Sequence, residues 1–113
     1  MVGSYIPKQK DLVYVDFDPT LGHEQKGFRP AIVISNNTFN KHTKMVIVCL
    51  ITSNEKEFPT HYLLNSTKVV NGSVLCEHIR SIDYETRNLK FIEKLTDNDY
   101  ISIITLLNAC IEE

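Results

Sequence analysis

The chain has 113 residues, of which 42% are hydrophobic and 23% charged, with a net charge of −2. That length fits one domain over residues 1–113, and no apolar run approaches the roughly 20 residues needed to cross a bilayer. Near-neutral charge argues against binding nucleic acid by bulk electrostatics, and no signal-peptide pattern is visible, so a cytoplasmic location is expected.

The charge is unevenly spread. Residues 1–44 carry six basic and four acidic side chains, and residues 45–113 carry six and ten. Cys49, Cys76 and Cys110 are odd in number and widely spaced, and sit among apolar neighbours without a C-x-x-C or Cys/His pairing, so they read as buried small hydrophobes. His23, His42, His61 and His78 are equally scattered. Neither a metal site nor a cofactor is expected.

In chain order, Asp11–Phe17 predicts a first strand, with Val13, Val15 and Phe17 on one face and Leu12, Tyr14 and Asp16 on the other. The loop from Asp18 to Arg29 holds Pro19, Gly22 and Gly27, and its length suggests a functional segment. Pro30 presets an extended approach to a second strand, Ala31–Ser35, and Asn36–Asn40 reads as a turn cluster. Met45–Thr52 is the most apolar run and suits a central strand covered on both faces. Thr60–Leu64 and Ser73–Cys76 predict shorter strands, with Asn71-Gly72 as a hairpin signal before the latter. Leu89–Leu95 gives a further strand. Thr96-Asp97-Asn98-Asp99 resembles a helix N-cap with first-turn acids. From Tyr100, the residues Ile101, Ile104, Leu107 and Ile111 supply an apolar face, leaving Ser102, Thr105, Asn108 and Glu112 to solvent. The pattern fits a mainly β (α+β) chain: a small, strongly bent sheet or partly open barrel carrying a C-terminal helix, or a generic α+β fold.

The most chemically suggestive residue is Arg29, between the polar loop and a strand built for burial. A guanidinium with a fixed stem matches phosphate oxygens two at a time. The plain alternative is a surface arginine before an edge strand.

Three segments carry a resemblance: Asp11-Leu12-Val13-Tyr14-Val15-Asp16-Phe17-Asp18-Pro19, Gly27-Phe28-Arg29-Pro30-Ala31, and Thr52-Ser53, supported by Arg80-Ser81-Ile82-Asp83. Together they resemble the MazF/PemK family of toxins, the ribosome-independent mRNA endoribonucleases of bacterial toxin–antitoxin pairs, over nearly the whole chain. The resemblance implies an SH3-like, partly open barrel with a C-terminal helix. It also implies metal-independent cleavage of single-stranded mRNA at a short motif, and a homodimer. A cognate antitoxin with an acidic tail would form a hetero-oligomer, and a DNA-binding complex, with the toxin.

RNA supplies its own nucleophile, the 2′-hydroxyl, so an enzyme needs a base, a cation and donors to the phosphoryl oxygens. By the resemblance, Arg29 is the cation and Thr52 a hydroxyl donor beside it; Thr52 also reads as a β-branched strand residue bonded to a neighbouring loop. Glu24 is the candidate base, or orients Arg29, or is a solvated loop carboxylate. His23 is its rival, since imidazole titrates near neutrality. Lys26, Ser53, Asn54 and Lys56 adjoin these residues, while His78 and Arg80 match positions near the family's RNA groove. Phe28 offers a stacking surface for a base, or simple packing. Lys10 stands where the family usually carries glycine, so a different turn into the first strand is expected. Two rivals stay open: a CcdB-like gyrase inhibitor of the same fold, acting without an Arg–Thr pair, and a non-catalytic interaction module.

Overall fold

The computed structural model describes residues 5–17, 28–54 and 56–112. Strands β1 (Asp11–Asp16) and β2 (Phe28–Val33) are followed by helix α1 (Asn37–Thr43) and strand β3 (Met45–Thr52). Strands β4 (His61–Leu63), β5 (Ser73–Asp83) and β6 (Lys90–Lys94) precede the terminal helix α2 (Asp97–Ile111). The strands form one sheet in the order β4-β5-β3-β2-β1-β6, antiparallel at every pairing. It curls into the partly open barrel expected, with α2 packed on it.

β3 occupies the interior of the sheet because its side chains are apolar on both sides. Cys49 and Ile51 join a cluster with Leu12, Ile32 and Val74, closed over by Ile103 and Leu107 of α2. Val46 and Val48 join a second cluster with Val13, Val15, Ala31 and Val33. Two-sided burial of this kind is what an unbroken apolar strand requires.

Lys10 adopts φ 79°, a left-handed backbone that glycine takes more readily. Lys10 thus makes a glycine-like turn although it carries a side chain. Lys10 N–H donates to Val33 O at 2.9 Å, Leu95 N–H donates to Lys10 O at 2.8 Å, and the Lys10 ammonium meets Asp97 at 2.7 Å. These bonds fix the turn against the chain leaving β2 and β6, and β1 starts at Asp11 as expected.

Several expectations need correction. The polar cluster after β2 is a helix start. Asn36 accepts from Phe39 N–H at 2.8 Å, and Asn40, fully buried, donates to Pro7 O at 2.9 Å. Asparagine makes the same side-chain-to-backbone bond in a turn and at an N-cap, so composition does not separate the two. β2 begins at Phe28 and ends at Val33, so Arg29 lies within a strand instead of at a loop mouth. β5 runs on to Asp83, well past Cys76. The Asn71-Gly72 pair does precede β5, but residues 64–72 form the connection, longer than a two-residue hairpin.

Thr96 caps α2 as expected, accepting from Asp99 N–H at 3.2 Å. Thr96→Ala is expected to cost about 1 kcal/mol, read as a lower urea midpoint with unchanged slope. The buried face of α2 is rotated from the one expected: Leu107 faces inward and Ile104 packs partly against the core as expected, but Asp99 and Ile103 join them, whereas Ile101 and Ile111 are 61% and 71% exposed. The helix carries apolar residues on both sides, so periodicity leaves its rotation open. Asp99 is inward because it accepts from Tyr62 Oη at 2.6 Å and from Ser66 Oγ. Cys49 and Cys76 are buried, which pushes their thiols up to about 12 and about 11. Cys110 is exposed, contrary to expectation, on the outer side of α2.

Candidate nucleic-acid cleavage site

Strand register brings Arg29 and Thr52 together. Val15 pairs with Arg29 across β1 and β2. Between β2 and β3 the pairs are Ala31 with Leu50, Ile32 with Cys49 and Val33 with Val48. The same register carried toward the start of β2 sets Arg29 opposite Thr52. Thr52 in turn pairs with Ser73 of β5. Residues directly opposite in an antiparallel pair share a face. Val15, Arg29, Thr52 and Ser73 thus form one row across four strands, at the end of the face holding the second core cluster. Arg29 is exposed there and Thr52 half-buried.

The Thr52 hydroxyl is oriented by its own chain. Asn54 N–H donates to Thr52 Oγ1 at 3.2 Å, so this bond uses an oxygen lone pair and leaves the hydroxyl proton available to a ligand. The Asn54 carboxamide then accepts from Lys56 N–H at 3.1 Å, setting the course of the chain past Thr52. Backbone packing also holds this point. Gly72, at φ 130°, lies so close that a Cβ there would stand 2.0 Å from the Thr52 carbonyl oxygen.

Arg80 pairs with Val48, and its guanidinium lies over the Phe17 ring, 5.0 Å from the centroid. Such a contact fixes a cation without neutralising it. Between the pairs Cys49–Ile79 and Ile51–Val74 the register shifts, with four β5 residues set against Leu50. This bulge re-aims β5 beside Thr52, as bulges near functional sites do. It presents Glu77 and His78 on the surface.

A groove of about 260 Å³ runs from Thr52 past Asn54 and Lys56 to His61, Glu77 and His78. A second, of about 580 Å³, shares Lys56 and His61 and continues along Phe58 to Leu63 and Ser73. Glu77 is the most organised group in them. Thr60 Oγ1 donates to its Oε1 at 2.5 Å, and His61 Nε2 lies 2.9 Å from its Oε2. Burial pushes this carboxyl up, but the Thr60 and His61 hydrogen bonds outweigh it, holding Glu77 below the ordinary carboxylate range.

Of the residues picked out by sequence, Thr52, Asn54, Lys56 and His78 line one groove. Arg29 joins them through the cross-strand row. Ser53 is exposed beside Thr52, Arg80 stands farther along β5, and Phe28 is half-buried at the start of β2. His23, Glu24 and Lys26 lie outside the described residues. His61, Glu77 and Phe58 were missed, because only the pairing of His61 with Leu75 across β4 and β5 brings them to Thr52.

Residues 8–111 match the PemK-like, MazF-like toxins of type II toxin-antitoxin systems. The chain belongs to this family. It is 38% identical over 87 residues to the endoribonuclease toxin MazF of Escherichia coli K12, covering 77% of this chain and 78% of that one. Among solved structures, MazF (Form-I) from Deinococcus radiodurans superposes with a TM-score of 0.83 at 31% identity, over 96% of this chain and 98% of that one. The MazE-MazF complex (Form-II) of the same organism gives 0.83 at 27% identity, over 96% and 97%. A gyrase inhibitor of the same fold is not favoured by these matches.

Proposed function

We propose that this chain is the endoribonuclease toxin of a toxin–antitoxin pair, cleaving single-stranded mRNA at a short motif without the ribosome or a metal. The observation that carries this is the row placing Arg29 and Thr52 on one face of neighbouring strands. In the proposed reaction the RNA 2′-oxygen attacks the adjacent phosphorus and its proton passes to a base. The bond to the 5′-oxygen then breaks, and that oxygen takes up a proton. The products carry a 2′,3′-cyclic phosphate and a 5′-hydroxyl. Arg29 stabilises the dianionic five-coordinate phosphorus, as a planar cation able to meet two phosphoryl oxygens together. Thr52 donates its hydroxyl proton to a phosphoryl oxygen. Glu24, or its rival His23, fills the role of base.

Asn54, Lys56, His78, Arg80, Ser53, Lys26 and Phe28 are proposed to grip the flanking nucleotides. Ile101 and Ile111, exposed on α2, support a homodimer through the helix region, with sheet edges alongside. A cognate antitoxin, as in the MazE-MazF complexes, would lay an acidic extended segment over Arg29 and its basic neighbours. Among the described residues no helix is long and apolar enough to cross a membrane, and the site of action proposed is the cytoplasm.

The test is incubation of the purified chain with bare single-stranded RNA in excess chelator, followed by mapping of both new ends. Cyclic-phosphate and 5′-hydroxyl termini at a recurring motif are expected. Intact RNA, together with inhibition of gyrase supercoiling, would reverse the conclusion in favour of the rival.

A further inference from the structure

We propose that Glu77, held by His61 and Thr60, selects a base bearing an exocyclic amino group, adenine, cytosine or guanine, at one position beside the cut. The inference rests on the nuclease reading above and deepens it. Glu77 and His61 border the same groove as Thr52, so a strand whose phosphate reaches Thr52 passes a neighbouring base along them.

The chemistry of the subsite is one-sided. An ionised carboxylate only accepts hydrogen bonds, and each oxygen has two lone-pair directions. Thr60 occupies one direction on Oε1 and His61 one on Oε2, leaving one on each for a ligand. An amino group on adenine, cytosine or guanine donates into that acceptor; accepting from cytosine N4 is an established use of a glutamate. Uracil offers a single N–H between two carbonyls, whose lone pairs face the carboxylate. It is the base rejected.

The surroundings suit a splayed-out nucleotide. Phe58, 55% exposed, packs its ring on His61 with centroids 5.1 Å apart at 42°. An exposed aromatic face beside a hydrogen-bonding group is how single-stranded bases are commonly held. Lys56, common to both grooves, places a cation for the next phosphate. The paired side chains on Glu77 fix its direction, so the subsite is formed before RNA arrives.

The experiment measures kcat/KM on a cleavable oligonucleotide whose bases near the cut are replaced singly by amino-free counterparts, purine for adenine or 2-pyrimidinone for cytosine. For the parent protein, one position is expected to lose about 10–100-fold. In Glu77→Gln, whose carboxamide both donates and accepts, that loss should shrink to within about threefold, and uracil should be accepted there. His61→Ala should give an intermediate loss of discrimination. With an abasic nucleotide at that position, Glu77→Gln and the parent should cleave equally, separating base selection from general damage. Discrimination unchanged in Glu77→Gln overturns the subsite while leaving the nuclease reading intact. A parent protein that cleaves no RNA overturns both.

Discussion

Replacing Arg29 with alanine is expected to lower single-turnover RNA cleavage by about 10²–10³-fold, the range for removing one preorganised charge-stabilising donor. Stability should change by no more than about 0.5 kcal/mol, as for other exposed positions. The two outcomes separate because Arg29 is exposed while its neighbours Ala31 and Val33 are buried. The apolar half of β2 holds the strand, so the guanidinium is spare to folding. Arg29→Lys should recover only part of the rate, because an ammonium lacks the planar fork that meets two phosphoryl oxygens together. Antitoxin binding should weaken yet remain measurable, since Lys56 and Arg80 stay in place. A variant cleaving within about twofold of the parent would remove Arg29 from the reaction.

Much of the fold was readable where the determining forces are local. β3 announced itself as eight apolar or β-branched residues, and the Thr96 cap needs only the next three residues. What escaped depends on partners distant in the chain. The sequence of α1 reads as a turn because Asn36 is equally suited to both, and only the pocket around Asn40, closed by Pro7, Ser35 and Tyr84, decides for the helix. The rotation of α2 is set by Asp99 bonding to Tyr62 and Ser66, a choice invisible in its own apolar pattern.

The site divides in the same way. Arg29 could be suspected from its setting, but its alignment with Thr52 is a matter of strand register, which the resemblance implied and local pattern did not contain. The β5 bulge is harder still. Leu75-Cys76-Glu77-His78 breaks the in–out alternation, but composition does not say where the extra residues fall; that follows from β3 and β5 keeping register on both sides of Leu50. Glu77 and His61 become neighbours only through the pairing of β4 with β5, so no spacing rule would have linked them.

Gly72→Ala is expected to reduce the cleavage rate substantially although Gly72 touches no substrate group in the proposed reaction. An alanine Cβ would stand 2.0 Å from the Thr52 carbonyl oxygen and 2.9 Å from its carbonyl carbon. Both are backbone atoms, so relief requires the end of β3 or the start of β5 to move. The φ of 130° adds strain for any residue with a Cβ, of order 1–3 kcal/mol, and the midpoint of urea unfolding should fall accordingly. The displacement falls on Thr52, whose hydroxyl is aimed by the same backbone through Asn54 N–H. A misplacement of about 1 Å at a reacting group can cost about 10²-fold. The loss should appear in kcat more than in KM, because the Lys56 and His78 surfaces that grip RNA are not in contact with Gly72. Thr52→Val removes the hydroxyl and keeps the strand shape, which allows a decisive comparison. If Gly72 acts by positioning Thr52, adding Gly72→Ala to Thr52→Val should leave kcat nearly unchanged, while the stability loss persists in full. Rate losses that multiply in the double variant would instead mean that the glycine serves folding alone, and that the hydroxyl of Thr52 is positioned by some other contact.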